Sequence, residues 1–281
     1  MSIVPKNNLA LRLFTALPLI PLLLAVMLIP ALSPVFALIV VFLSFMGARE
    51  LKELIAARQP EITPLRILLL APLLPLILFA EKAPGPIFFT ALHVLLFFLV
   101  VEYLLQKEAP LERLAYAIAG LFYIGGLPCF FIELHRIPQS GPGLITFLLV
   151  AIGLSDTFAF AFGKMLGKHK LCPAISPNKT VEGSIAGLTG GALVGLMAYA
   201  IQQIWHLEGL PGWSPLLYLS AGICLSSVGQ IGDLAESALK RSAGVKDSGR
   251  LFPGHGGALD RCDAFLFGGP ALYCLLLIVG N

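Results

Sequence analysis

Nine apolar stretches, each about as long as a membrane-spanning helix, follow one another along the 281-residue chain. A helix needs about 20 mainly apolar residues to cross a bilayer. Only 12% of the residues are charged, against roughly 25% in soluble domains. The sequence therefore predicts an all-α fold, a polytopic integral membrane bundle of about nine transmembrane helices. The stretches lie near residues 11–30, 31–48, 64–80, 87–105, 113–133, 143–163, 183–204, 215–236 and 264–280.

Two of these stretches are less regular than the rest. Residues 11–30 follow Lys6, as the core of a signal peptide would, but the stretch is long for that and more helices follow. We therefore interpret it as an uncleaved anchor. The third stretch is short and contains Pro72 and Pro75, so its helix is the weakest of the nine.

The distribution of Lys and Arg predicts the orientation of the helices. Cytoplasmic loops of membrane proteins carry an excess of these residues. Of the 19 present, 17 fall in, or within three residues of, the N-terminal segment and the loops after the second, fourth, sixth and eighth stretches, and only Lys82 and Arg136 fall elsewhere. The N-terminus is thus predicted to be cytoplasmic, in a multi-pass protein of the inner (cytoplasmic) membrane.

The loop after the second stretch, "ARELKELIAARQPE", has Leu51, Leu54 and Ile55 at helical spacing among charged residues. Such a pattern is typical of a short helix lying on the membrane surface. An ordinary polar connector accounts for it equally well, and the sequence leaves both open.

Ten of the 35 charged residues are concentrated between Asp233 and Asp263. Asp233 is expected at the membrane boundary, where an ionisable group is costly and usually faces a cavity or a partner. Asp260 and Asp263 are three residues apart at the start of the last helix, so they face one way. The alternatives are a salt bridge for Asp233 and favourable capping of a helix N-terminus for the other two.

The segment between these carboxylates is rich in glycine and cations. Gly249, Gly254, Gly256 and Gly257 predict a loop, and free N–H groups of such a loop before a helix suit anions. Carboxylates suit Mg²⁺, and Lys and Arg suit phosphate oxygens. Together they predict phosphoryl or nucleotidyl transfer, in which charge on phosphate oxygens must be neutralised. The cations are Lys240, Arg241, Lys246, Arg250 and Arg261, and Asp247 lies among them. Three roles are open for His255: to bind phosphate, to act as an acid or base, or only to form hydrogen bonds within the loop.

A second polar segment, "SPNKTVEG", precedes the seventh stretch. Ser176 or Thr180 is expected to cap the next helix, and Lys179 to bind phosphate there, with Glu182 nearby. Asp156 lies within the sixth stretch, and an intramembrane Asp is a functional candidate by default. The other lysines of this loop, Lys164, Lys168 and Lys170, are accounted for by the basic character of cytoplasmic loops.

The segment "SALKRSAGVKDSGRLFPGHGGALDRCD" resembles the signature of the phosphatidate cytidylyltransferase family, also called CDP-diacylglycerol synthases. That pattern runs S-x-x-K-R, four residues, K-D, and later H-G-G-x-x-D-R-x-D. Ala258 and Cys262 stand where the family usually has larger aliphatic residues. The pattern is met by Ser237, Lys240, Arg241, Lys246, Asp247, His255, Gly256, Gly257, Asp260, Arg261 and Asp263.

The resemblance implies that CTP and phosphatidic acid give CDP-diacylglycerol and pyrophosphate. It implies Mg²⁺ held by Asp233 and Asp260, with K⁺ or a second divalent ion beside it, in a cytoplasm-facing cavity open to membrane lipid. We expect no nucleic-acid partner, and a homodimer is compatible with the family. Residues 1–140 are then about five N-terminal helices, and residues 141–281 carry the catalytic site.

Fourteen polar residues receive an expected role. Asp233, Lys240, Arg241, Asp260, Arg261 and Asp263 are expected to be catalytic. Substrate binding is expected of Asp156, Ser176, Lys179, Thr180, Glu182, Lys246, Asp247 and His255.

Three alternative functions are disfavoured. A CDP-alcohol phosphotransferase would need a D-G-x-x-A-R segment followed by G-x-x-x-D-x-x-x-D, which the sequence lacks. A transporter would favour inverted repeats and charges near the midplane, whereas here the charges gather on one side. A catalytically inactive scaffold is disfavoured because every polar position of the signature is filled.

Overall fold

The computed structural model describes residues 24–58, 66–81, 84–105, 111–205, 209–251 and 256–279. Short 3₁₀ segments, Pro30–Leu32 and Arg66–Leu70, precede the first two helices, and the fourth contains a π-helical segment, Leu121–Gly126. The α-helices are α1 Ser33–Arg58, α2 Leu73–Glu81, α3 Pro86–Leu104, α4 Leu111–Arg136, α5 Gly141–Leu166, α6 Val181–Trp205, α7 Pro215–Ser242 and α8 Leu259–Val279.

Seven of the described helices are long and apolar enough to cross a membrane, and the turn leading into α2 extends it to a shorter apolar helix, Leu68–Glu81. Large apolar side chains such as Phe97 and Leu277 are exposed on these helices, as suits a surface in contact with lipid. The predicted all-α polytopic membrane fold is confirmed. The first predicted stretch lies mostly outside the described residues, so the number nine stays a prediction.

The loop predicted after the second stretch is neither a separate surface helix nor a connector. Helix α1 continues through it to Arg58. Leu51 and Leu54 are buried in the protein, so the apolar positions that suggested membrane contact pack inside instead. Both interpretations of this segment were wrong because they assumed that the spanning helix ends at the membrane boundary.

The chain forms two compact units. The first unit comprises the described residues up to Ile132 together with Ser242–Cys262, and the second comprises Glu133–Arg241 and the residues from Asp263 onward. The division predicted at residue 140 stays a prediction.

Helices α6 and α7 of the second unit approach closely through glycine. A Cβ added to Gly191 or to Gly222 would collide with the carbonyl oxygen of the other residue. Small residues permit such close approach between membrane helices. The contact brings the backbones together near the middle of α6 and in the first third of α7.

Buried and partly buried polar side chains join three helices of the second unit. The hydroxyl groups of Ser155 on α5 and Ser226 on α7 are 2.5 Å apart. Ser184 on α6 donates to Oε1 of Gln230 on α7, whose Nε2 donates back to the Ser184 carbonyl oxygen at 3.2 Å. Since Asp156 follows Ser155 and Asp233 comes one turn after Gln230, this network fixes the helices that carry both carboxylates.

A two-stranded antiparallel hairpin, β1 Lys170–Cys172 and β2 Ser176–Thr180, connects α5 to α6. The sequence did not predict these strands. Lys170 pairs with Thr180, and Cys172 with Ser176. Because β2 runs directly into α6, the hairpin fixes the backbone position of Lys179.

Candidate active site

Asp233 and Lys179 form an ion pair that joins the two polar segments of the sequence. Nζ of Lys179 on β2 lies 2.6 Å from Oδ2 of Asp233 on α7, and both side chains are partly exposed. Ser237, one turn further along α7, donates to Oδ1 of Asp233 at 3.4 Å. The salt bridge considered as an alternative for Asp233 is present, and its partner is a residue predicted to bind phosphate.

Two further carboxylates, those of Asp263 and Asp156, belong to the same cluster of the second unit. A Cβ on Gly232 would lie 2.6 Å from the carbonyl oxygen of Asp263, so the backbones of α7 and α8 touch next to Asp233. Asp263 interacts electrostatically with Asp233 and Asp156, and with Lys240. Carboxylates this close repel one another unless cations lie among them. The arrangement therefore favours binding of cations.

The cations at the end of α7 also have partners within the protein. Lys240 pairs with Glu236, whose side chain is fully buried. Arg241 is exposed and donates from Nε to the carbonyl oxygen of Ile175 in the hairpin, at 3.3 Å. Arg241 thus ties the hairpin to α7, and Lys240 neutralises a buried acid.

The hairpin residues of the second segment have mainly structural contacts. Oγ1 of Thr180 accepts a hydrogen bond from the backbone N–H of Gly183 at 3.1 Å, which confirms the predicted cap of α6. Glu182 accepts from the backbone N–H groups of Lys168 and His169, and contacts the His169 ring at 2.6 Å. Both residues hold the loop that presents Lys179. Ser176 is half-buried at the start of β2.

In the first unit, Asp260 binds the loop that leads into α8. Its Oδ2 accepts from the backbone N–H of Ser248 at 2.8 Å, from the Ser248 hydroxyl at 3.0 Å and from the backbone N–H of Gly257 at 2.8 Å. The capping role considered for this residue is therefore present. Its predicted metal role stays a prediction.

Glu50, on α1, was not predicted as a site residue, and its carboxylate accepts hydrogen bonds from this loop. Its Oε1 accepts from the N–H of Ala258 at 2.8 Å, and its Oε2 accepts from the N–H of Leu259 at 2.9 Å and from the Ser248 hydroxyl at 2.8 Å. Glu50 is 7% exposed. The carboxylate thus caps a helix that begins about two hundred positions further along the chain.

The expectation that this glycine-rich turn presents free N–H groups to an anion is wrong for the start of α8. Asp260 and Glu50 take up the N–H groups from Gly257 to Leu259. The N–H of Asp260 donates to Ser248 Oγ, and the N–H groups of Arg261 and Cys262 donate to the Ala258 carbonyl oxygen. The protein's own carboxylates occupy the place a phosphate would take. Among the described residues at the start of α8, the backbone N–H groups from Gly257 to Cys262 are therefore already bound within the protein.

At two glycines of the signature, a side chain is excluded for steric reasons. Gly256 has a φ of +85°, which residues with a side chain rarely adopt. A Cβ there would also lie 2.5 Å from Oδ2 of Asp260. A Cβ on Gly257 would collide with the Glu50 carboxylate.

Four polar residues of the first unit are exposed, namely Lys246, Asp247, Arg250 and Arg261. His255 lies outside the described residues.

A family model described as the cytidylyltransferase family matches residues 10–279. The chain belongs to the cytidylyltransferase family. It is 42% identical over 189 residues to the phosphatidate cytidylyltransferase of Bacillus subtilis (strain 168), a match that covers 67% of each chain. Similar matches to the phosphatidate cytidylyltransferases of Staphylococcus saprophyticus (44% over 163 residues) and Staphylococcus aureus strain COL (41% over 186 residues) cover 59% and 66% of those relatives' lengths.

A cytidylyltransferase acts on a nucleotide triphosphate, for which a divalent cation is the usual counter-ion. Among the described residues, no group of three or more His, Cys, Asp or Glu side chains forms a metal cage of its own. Mg²⁺ does not need one, because it takes one or two carboxylates and completes its shell with water and substrate phosphates. The carboxylates around Asp263 supply such oxygens, so the residues fit a magnesium ion shared with a nucleotide.

The residues that sequence reasoning missed are acids and hydroxyls whose partners are far along the chain. Glu50 follows Gly47 and precedes Leu51 and Leu54, all buried on one face of α1. An acid on an apolar helical face signals a buried partner, and this signal was available in the sequence. Ser248 and the polar network of Ser155, Ser184, Ser226 and Gln230 carried no comparable signal.

Proposed function

We propose that this chain transfers the cytidylyl group of CTP to phosphatidic acid, giving CDP-diacylglycerol and pyrophosphate in phospholipid biosynthesis. The observation that carries the proposal is the Lys179–Asp233 pair, with Asp263 and Lys240 beside it, at the ends of apolar helices. A lipid phosphate remains at the membrane boundary, so an enzyme acting on it needs cations and carboxylates there. The similarity to phosphatidate cytidylyltransferases supports this substrate.

The reaction needs no strong general base, because the attacking phosphate is already anionic. An oxygen of phosphatidic acid forms a bond to the α-phosphorus of CTP. The bond from that phosphorus to the oxygen bridging to the β-phosphate breaks, and its electron pair leaves with pyrophosphate. The barrier is lowered mainly by positioning and by neutralising charge.

The charged side chains divide this work between them. Lys240, Arg241, Lys246 and Arg261 offset the negative charge of the nucleotide phosphates. Lys179, now paired with Asp233 at 2.6 Å, exchanges this partner for a substrate phosphate. Asp233 and Asp260 are the proposed ligands of Mg²⁺, which when bound would neutralise the phosphates and the departing pyrophosphate.

The proposed active site faces the cytoplasm, where CTP is found, and the excess of Lys and Arg in alternate loops supports this orientation. The homodimer, the second ion and the lack of a nucleic-acid partner remain predictions from the sequence.

Turnover by the purified protein in detergent tests the proposal. The assay contains labelled CTP, phosphatidic acid and Mg²⁺, and the matched reactions contain EDTA or omit the lipid. We expect CDP-diacylglycerol and equimolar pyrophosphate only in the complete mixture. A folded protein that forms neither product, with several phospholipid acceptors tried, would refute the assignment.

A further inference from the structure

Among the described residues, the Glu50 carboxylate on α1 binds both ends of the loop before α8, at Ser248 and at Ala258 and Leu259. Its two carboxylate oxygens accept three hydrogen bonds of 2.8 to 2.9 Å, two from backbone N–H groups and one from a hydroxyl. Burying a carboxylate is costly unless it is hydrogen-bonded. The arrangement therefore stabilises one position of the loop relative to α1.

The loop backbone is shaped to admit this carboxylate. A Cβ on Gly249 would lie 2.5 Å from Oε1 of Glu50, and one on Gly257 would collide with Oε2. On α1, a Cβ on Gly47 would lie 3.1 Å from the side chain of Leu259. Three glycines thus leave room for one contact, so Glu50 and the loop fit each other closely.

Ser248 connects Glu50 to Asp260. The Ser248 hydroxyl lies 2.8 Å from Oε2 of Glu50 and 3.0 Å from Oδ2 of Asp260. It has one hydrogen, so the two carboxylates share it. A displacement of Glu50 is therefore transmitted to Asp260 directly, through one side chain.

We infer that Glu50 is a positioning residue of the active site, which holds Asp260 and the cations around it in register for CTP. The inference rests on the proposed function, in which Lys246 and Arg261 bind the nucleotide. These two residues flank the fastened loop and are exposed, so the fastening fixes their backbone while their side chains reach the solvent. The first half of the chain thereby takes part in nucleotide binding without touching the nucleotide.

The inference is tested with Glu50→Gln, which keeps the size of the side chain and replaces one acceptor oxygen by an amide donor. Glu53→Gln is the matched control, because Glu53 is exposed on the same helix. We expect Glu50→Gln to lower kcat/KM for CTP by about tenfold or more, mainly through KM for CTP, and to leave KM for phosphatidic acid near that of the wild type. Glu53→Gln should leave both constants unchanged.

Amide hydrogen exchange of the same proteins gives a readout that does not depend on turnover. Glu50→Gln should speed exchange in peptides covering residues 248–259, and Glu53→Gln should not. Ser248→Ala, a milder change, should reproduce both effects more weakly if Glu50→Gln fails to fold. The double variant Glu50→Gln with Ser248→Ala should be little worse than Glu50→Gln alone, because both act through one loop.

Wild-type exchange and a wild-type KM for CTP in Glu50→Gln would overturn the inference. So would an equal rise in KM for both substrates, which indicates general damage. Absence of cytidylyl transfer in the wild-type protein would refute the proposed function instead, and the exchange experiment would still report whether Glu50 holds the loop.

Discussion

Lys179 and Asp233 are 54 positions apart in the sequence, and their charged atoms lie 2.6 Å apart in the folded protein. The lysine is on the last strand before α6 and the aspartate is near the end of α7. Each side chain is about one quarter to one third exposed. A partly exposed ion pair contributes about 0–1 kcal/mol to folding. The pair is therefore better suited to holding charges ready for a substrate than to stabilising the bundle.

Lys179→Met should reduce turnover far more than it reduces stability. We expect activity to fall by about 100-fold, or about 2.7 kcal/mol of barrier, because the ammonium no longer meets a substrate phosphate. The free energy of unfolding should change by about 1 kcal/mol or less. Turnover and thermal unfolding in the same detergent check this. A stability loss as large as the activity loss would mean a structural role.

Asp233→Asn should abolish most of the metal-dependent activity, because a neutral amide is a poor ligand for Mg²⁺. Initial rates measured over a range of Mg²⁺ concentrations should show a turnover at least about 100-fold lower. Glu133→Gln is the control, since Glu133 pairs with Arg136 at 2.9 Å elsewhere in the second unit. Near-normal turnover of Asp233→Asn would remove this residue from the proposed metal site.

Gly257→Ala should destabilise the loop before α8, because its Cβ would collide with the Glu50 carboxylate. Overpacking of this kind costs about 1–3 kcal/mol. Gly153→Ala on α5 is a matched control, since no atom lies within 4 Å of a Cβ there. Gly257→Ala should lower the melting temperature, whereas Gly153→Ala should leave it unchanged or raise it. Equal melting temperatures would contradict the described loop.

Ser226→Ala should weaken the packing of α5 against α7. It removes the hydroxyl that lies 2.5 Å from Ser155 and within 3.4 Å of Gln230. Hydrogen bonds between membrane helices contribute about 0.6 kcal/mol on average and about 1.7 kcal/mol at most. We expect a loss in that range by equilibrium unfolding, whereas Ser220→Ala, on an exposed face of α7, should have no measurable effect.

Local patterns in the sequence predicted much of this molecule. Apolar length predicted the membrane helices, and the position of Thr180 before α6 predicted its capping hydrogen bond to Gly183. The clustering of charge predicted that Asp233 has a polar partner. All of these depend on residues close together in sequence or on a property of one segment.

The contacts that were missed depend on packing between distant segments. No local pattern indicates that Glu50 meets Ala258, which is 208 positions away, or that Asp260 and Glu50 together occupy the N–H groups expected to bind an anion. The hairpin was missed for a different reason, because its strands are only 3 and 5 residues long and contain Pro177.

The cap of α8 by Glu50 also bears on the order in which the membrane protein assembles. The ribosome makes Glu50 well before the backbone groups that bind it at Ala258 and Leu259. Until the last helix inserts, this acid must therefore stay hydrated or bind other donors. Its burial is completed only after residues 248–259 have been made, so a chain that stops before Ser248 lacks every donor described for Glu50, however well its earlier helices have inserted.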